Sequence, residues 1–280
     1  MIDFKRDSDN LIVAGNGPSL KNIDLNSMPK EYDVFRCNQF YCEDKYYLGK
    51  NIKLVMFNPS VIYSQLETLY QLEKNNEYRV EYVCLGIPNK LKINFDLNTL
   101  FKRHPYLIIL DEILQKDKIL FRYLSNIEEW EKMNVTSGIY LIALGIIFGY
   151  KNIYYTGIDF YETNQINNAY CYNIPMDGGM HKLIYNKNMV VEKCHSKNID
   201  METMNFFTKY YNHQITLQKA PNLNSAHNKL AIQKQNNYIN DIIVSKYDFT
   251  NKKINIFKKI RNKLKKTLSK KYCNNGGKLR

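Results

Sequence analysis

Short apolar runs and longer periodic stretches alternate along this chain. Residues 11–14, 33–37, 53–57, 80–85 and 152–156 read as strands, with residues 214–218 as a further one. Helical spacing fills the gaps between them. Residues 60–74 set Ile62, Leu66, Leu69 and Leu72 on one face, and residues 200–211 do the same with Met201, Met204, Phe207 and Tyr211. Residues 137–150 are apolar almost all round, which predicts a buried helix. Strands alternating with helices predict an α/β fold in which helices cover both faces of a parallel sheet. In such a sheet the ligand crevice lies at the C-terminal ends of the strands. Residues 87–131, which hold the lone tryptophan Trp130, read as helical. Residues 1–9 are polar and read as a loose terminus. Residues 162–194 have weak periodicity and read as a lid or an unstructured loop.

The first strand runs into Gly15-Asn16-Gly17, with Ser19 placed to cap the next element. A turn of this kind brings backbone N–H groups up to a phosphate or ribose, where a Cβ would block close approach and resist positive φ. It is neither G-x-G-x-x-G nor a P-loop, so a plain structural turn stands beside the nucleotide reading. Other strand ends carry small polar groups too. Asn38 follows residues 33–37, Asn58 follows 53–57, and Asp159 follows 154–158. One Asn after a strand is an ordinary turn residue. Four such groups in register point to a single crevice. Thr136-Ser137-Gly138 opens the buried helix, as an N-cap, as a site for a carboxylate or phosphate, or as both.

Charge changes the picture once it is located. The chain has 280 residues, which suits one large domain with or without a small lid, and a net charge of +13. Residues 251–280 carry twelve Lys and Arg and no acid, which leaves +1 from the total of +13 for residues 1–250. A domain that follows a nucleic-acid backbone would spread its basic groups over a folded face, so nucleic acid is not expected as a partner. The division expected is a catalytic body at 1–251, with a lid near 160–195, and a basic tail at 252–280. Within the tail Phe257, Ile260, Leu264 and Leu268 share one helical face among lysines. That pattern suits an anionic membrane surface, and equally a solvated terminus. Cys37, Cys42, Cys84, Cys171, Cys194 and Cys273 form no C-x-x-C pair and read as reduced thiols of a cytoplasmic protein. No run resembles a secretory or membrane-spanning segment. Asp7-Ser8-Asp9 has the letters of a metal motif but precedes the first strand.

Taken together, the motifs resemble one family. The runs Ala14-Gly15-Asn16-Gly17-Pro18-Ser19-Leu20, Asp33-Val34-Phe35-Arg36-Cys37-Asn38-Gln39-Phe40-Tyr41, Phe57-Asn58-Pro59, Thr136-Ser137-Gly138, Gly157-Ile158-Asp159-Phe160-Tyr161 and Cys194-His195-Ser196-Lys197 are similar to those of the bacterial sialyltransferases of glycosyltransferase family 42. These are the α-2,3- and 2,8-sialyltransferases of Campylobacter lipooligosaccharide. The likeness is close over residues 10–60 and 134–161 and near 194–198, and thin over 87–131 and the lid.

The resemblance implies a Rossmann-like, GT-A-like sheet with a lid. It implies an inverting transfer of sialic acid from CMP-sialic acid to a terminal galactose or sialic acid of lipooligosaccharide, without a metal or other cofactor. It assigns Asn16, Gly17, Asn38, Asn58, Thr136, Ser137, Gly157, Asp159 and Phe160 to substrate binding. Tyr161 and Tyr170, with Tyr172 as an alternative to the latter, would stabilise the leaving phosphate. His195 would be the general base, with His181 in reserve, and an imidazole suits a base working near neutral pH. Peripheral attachment to the cytoplasmic face of the inner membrane and a homotetramer are further implications. Two positions depart from the family pattern. Asn134 stands where the family carries Arg, with Lys132 two residues away as a substitute charge, and Glu192 stands where it carries Tyr. Two alternatives stay open: an inactive CMP- or glycan-binding homologue, which the Asn134 departure motivates, and a transferase for another activated sugar.

Overall fold

A computed structural model describes residues 3–59, 62–86, 97–160, 195–223 and 232–233. The lid residues Tyr161, Tyr170, Tyr172, His181 and Glu192, the cysteines at 171, 194 and 273, and the tail at 252–280 lie outside the described residues.

The strands are β1 (Asn10–Ala14), β2 (Asp33–Cys37), β3 (Lys45–Tyr46), β4 (Asn51–Phe57), β5 (Arg79–Leu85), β6 (Leu107–Ile109), β7 (Asn152–Thr156), β8 (Thr216–Lys219) and β9 (Ile232–Gln233). The helices are α1 (Ile62–Lys74), α2 (Leu97–Arg103), α3 (Leu110–Leu114), α4 (Lys118–Asn126), α5 (Ser137–Ile147) and α6 (Lys197–Tyr210). Seven strands form one sheet in the order β6-β5-β4-β2-β1-β7-β8, and every pairing in it is parallel. β3 and β9 make a separate antiparallel pair.

Period-two alternation divides the sheet's side chains between two cores. Ile12, Ala14, Val34, Val55 and Phe57 face α1, whose Ile62, Leu66, Leu69 and Leu72 are buried against them. Leu11, Val13, Phe35, Cys37, Leu54 and Met56 face α3, α4, α5 and α6. Burying a Leu or Ile side chain fully contributes roughly 1.5–3 kcal/mol. The three-layer arrangement follows from the need to cover both faces of the sheet.

The chain builds outward from β1 through β2, β4, β5 and β6, then returns to place β7 on β1's free side. The order therefore reverses at β1, and the crevice of an open sheet lies beyond the C-terminal ends at such a point. α5 runs behind it as the expected buried helix, with Ile139, Leu141, Ile142, Ala143 and Leu144 fully enclosed. It ends earlier than its composition suggests. Gly149 takes φ 78, its N–H bonds the Ile146 carbonyl at 3.0 Å, and the Tyr150 N–H bonds the Gly145 carbonyl at 3.1 Å. That is a Schellman stop, which turns the chain into β7.

Two expectations fail here. Residues 107–109 are not helical but form the edge strand β6, hydrogen-bonded along β5. A run of Leu107-Ile108-Ile109-Leu110 buried on both sides carries no period, so length and context decide it. Residues 3–9 are not loose. Phe4 stacks on Phe148 with ring centroids 3.8 Å apart, and Arg6 donates to the Gly149 carbonyl. The Asp7 N–H bonds buried Asp33 at 3.1 Å, and the Asp7 carboxylate pairs with Lys53 at 2.9 Å. An aromatic anchor and these polar ties hold a segment whose composition alone looks solvated.

Candidate active site

The turns after β1 and β7 interlock. The Gly15 N–H donates to the Thr156 carbonyl and the Gly17 N–H to the Gly157 carbonyl, both at 2.9 Å. The Ser19 hydroxyl accepts from the Gly157 N–H at 2.8 Å, and the Ser19 N–H donates to Asp159 Oδ2 at 2.9 Å. The glycines serve this contact. A Cβ on Gly15 would run into the Gly157 carbonyl oxygen, a Cβ on Gly17 into the Asp159 carboxylate, and a Cβ on Gly157 would lie 2.5 Å from the Gly15 oxygen. Of the three, only Gly157 has positive φ, at 62. The expectation of positive φ in the first turn is thus corrected: the constraint there is crowding by the neighbouring turn. Ser19 is not a helix cap either. Gly17 is the cap residue of a short 3-10 turn at Pro18–Asn22, and the Ser19 hydroxyl bridges to β7 instead.

Asn16 extends this clasp toward β2. Its Nδ2 donates to the Cys37 carbonyl at 3.1 Å. Its Oδ1 is buried without a hydrogen-bond partner among the described residues. A buried acceptor left unmatched costs about 1–3 kcal/mol, so a donor from a ligand or water suits that position. Asn38 stands in the left-handed region at φ 49, which Asn tolerates better than most residues. Its Oδ1 accepts from the Asn58 N–H at 3.2 Å, and its Nδ2 reaches Ser137 Oγ at 3.4 Å. Phe160 is also left-handed at φ 48, a strained setting for a bulky residue. Its half-buried ring packs against the core beneath α5, 6.5 Å from the Tyr155 ring, rather than joining the polar set.

The opposite wall is held by side chains. Thr136 occupies the cap position of α5 but caps nothing with its side chain. Its N–H and hydroxyl both donate to the Asp200 carboxylate on α6, at 3.0 and 2.8 Å. The anion that Thr136 meets is therefore the protein's own, and Ser137 is left as the half-buried hydroxyl facing Asn38. Burial pushes the Asp200 carboxyl above its ordinary range, while the two Thr136 bonds and the nearby His195 charge oppose the shift. His195, immediately before the α6 cap Ser196, places Nδ1 2.7 Å from the Asn134 carbonyl oxygen. A carbonyl only accepts, so Nδ1 carries the hydrogen and Nε2 presents a lone pair. Asn134 Oδ1 is a second buried acceptor without a partner among the described residues.

These bonds and the turns between them connect Asp159, Gly157, Gly17, Asn16, Asn38, Asn58 and Ser137 in one network at the sheet edge, with Thr136 and His195 on the adjoining wall. Asp200 escapes a reading of the sequence that places Met201 on the buried stripe of α6. Met201 is 44% exposed, while Asp200, Thr203, Met204 and Phe207 are buried. Registering the helix on residues 200, 204, 207 and 211 would have put a carboxylate inside an apolar stripe, which is the signal that finds it. Among the described residues no cluster of three or more His, Cys, Asp or Glu could hold a metal ion, and no helix is long and apolar enough to cross a membrane.

The alpha-2,3-sialyltransferase (CST-I) family matches residues 9–279. This chain belongs to that family. It is a glycosyltransferase with the fold of the solved sialyltransferases. The monofunctional alpha-2,3-sialyltransferase Cst-I from Campylobacter jejuni is 34% identical, with a TM-score of 0.74 over 96% of this chain and 98% of that one. CstII from Campylobacter jejuni, in complex with the substrate analogue CMP-3FNeuAc, is 34% identical, with a TM-score of 0.66 over 81% of this chain and 91% of that one. The sialyltransferase CST-II in complex with a trisaccharide acceptor and CMP is 35% identical, with a TM-score of 0.67 over 81% and 91%.

Proposed function

We propose that this chain transfers sialic acid from CMP-sialic acid to a terminal galactose or sialic acid of lipooligosaccharide, with inversion and without a metal ion. The observation that carries the proposal is the state of His195. With Nδ1 committed to the Asn134 carbonyl, Nε2 presents the lone pair that takes the proton of an acceptor hydroxyl. The related structures with CMP-3FNeuAc and with a trisaccharide acceptor support the donor and acceptor classes.

In this reading the acceptor oxygen attacks the anomeric carbon as the bond to the phosphate breaks, and CMP leaves with the electron pair. One displacement on the opposite face inverts the centre. CMP carries a single phosphate, so hydroxyl donors can meet the charge that develops on it, a role assigned here to Tyr161 and Tyr170. Asn16, Asn38, Asn58 and Asp159, with the Gly17 and Gly157 backbone, hold the nucleotide, and Ser137 lies beside the sialic carboxylate. The basic tail at 252–280 keeps the enzyme on the cytoplasmic face of the inner membrane, near a lipid-linked acceptor.

The test is transfer from CMP-sialic acid to a lactose-type acceptor in EDTA, with wild type and His195→Ala. Metal-free transfer is expected, and the variant should fall by roughly 10²–10⁴. Transfer that needs a divalent ion, or that survives in His195→Ala, would overturn the mechanism. CMP binding with no transfer by the wild type would identify a binding protein, with Asn134 in place of the family Arg as its first suspect.

A further inference from the structure

The turn that carries His195 and the segment that opens α5 are fastened at two points. Residues 134–136 give a carbonyl to His195 Nδ1, and an N–H and a hydroxyl to Asp200. Both partners belong to the start of α6, where the Asp200 N–H also bonds the Ser196 carbonyl at 3.1 Å. Asp200 is 1% exposed, and an ionised carboxylate buried that deeply is costly unless compensated. Two hydrogen bonds compensate part of that cost. The charge that His195 acquires when it takes a proton acts on Asp200 and adds to that compensation.

We propose that Asp200 is the positioning residue for His195: through Thr136 it fixes the strand of chain that orients the imidazole, and its buried charge stabilises the imidazolium formed during transfer. The inference rests on His195 being the base. It makes use of a buried carboxylate to which the proposed mechanism gives no step, and it gives Thr136 a task apart from ligand contact. The reaction consumes no extra group. The proton passes from the acceptor hydroxyl to His195 Nε2, and none is transferred to Asp200.

The surroundings allow a clean reading by pH. Tyr140 on α5 faces Asp200 and feels Glu128 of the π-helical turn at Ile127–Glu131 and Asp111 of α3. Burial holds the Tyr140 phenol well above its ordinary range, so it remains neutral in any practical assay. On α6 itself Lys197 and Glu202 are exposed, as is Lys219 on β8. None of these groups changes between wild type and an Asp200 variant.

The experiment is the pH profile of kcat/KM for wild type, Asp200→Asn and His195→Ala, with CMP affinity measured alongside. Asn keeps an oxygen for Thr136 and discards the charge. The Asp200→Asn plateau should fall about tenfold and its acid limb should move to lower pH by about one unit, because the imidazolium has lost its counter-charge. CMP affinity should stay within about twofold, as expected for a change that leaves the donor pocket intact. A lower plateau with an unmoved limb would reduce Asp200 to a structural residue and overturn the proposal, as would a wild-type profile. Activity that survives in His195→Ala would instead overturn the base assignment beneath it. If Asp200→Asn does not fold, Thr136→Val takes its place. Losing the hydroxyl bond leaves the carboxylate's charge in place and less shielded, so the limb should move to higher pH. An unmoved or lowered limb there would likewise overturn the proposal.

Discussion

The two walls of the crevice are built on opposite principles. The β1–β7 clasp is a backbone contact, with Gly15, Gly17 and Gly157 packed so closely that a methyl group on any of them meets the other turn. The α5–α6 wall is a side-chain contact, in which Thr136 and His195 are held by an internal carboxylate and a carbonyl. A steric clasp admits no substituent. A polar latch tolerates changes of shape but depends on charge and on tautomer. In the proposed reading the clasp meets the nucleotide and needs a fixed surface, while the α5–α6 wall carries the base and needs a group that changes protonation in every turnover. The two constructions suit those needs.

The largest effect is expected from Gly157→Ala. The new Cβ must occupy a left-handed residue and enter the space of the Gly15 oxygen. The two penalties together come to about 3 kcal/mol, read as a fall in the urea midpoint, with CMP-induced stabilisation lost as well. If Gly157→Ala were as stable as wild type, the steric account of the clasp would fail. An intermediate effect is expected where the walls meet. Asn38→Ala gives up its bonds to Asn58 and Ser137 and keeps an unfavourable φ, at about 2 kcal/mol. Asn38→Gly relieves the φ and should recover about half of that loss, so equal losses in the two would show that backbone strain plays no part there. The smallest effect is expected from Ser19→Ala, which removes one acceptor from the Gly157 N–H and should cost about 1 kcal/mol by thermal or urea unfolding. A larger loss there would mean that the clasp depends on its hydrogen bonds more than on its packing.

Much of the fold can be read along the chain, because β1, β2, β4, β5 and β7 are compact apolar runs and α5 is apolar all round. β6 cannot, since three buried residues joined directly to α3 carry no period. The polar strand ends that form the crevice are also legible, because Asn16, Asn38, Asn58 and Asp159 each follow a strand. Their bonds are not. Nothing local distinguishes Ser19 as a bridge from Ser19 as a cap, since that depends on Gly157 in the turn after β7, 138 residues away in sequence. Asp200 is hidden for a similar reason. A single acid in the first turn of a helix reads as a favourable partner for the helix dipole, and only the packing of α6 on α5 turns it inward.

The amino-acid sequence alone determined most of the elements, their alternation and the residue types at the strand ends, because periodicity and glycine placement act over a few neighbours. The tertiary structure decided which faces pair, and with them the reversal of strand order at β1, the use of the glycines and the tautomer of His195. Those features arise between residues 20 to 140 positions apart, as in Asn38–Asn58, Thr136–Asp200 and Ser19–Asp159. Contacts at such separations exist only once the sheet has brought the chain back on itself.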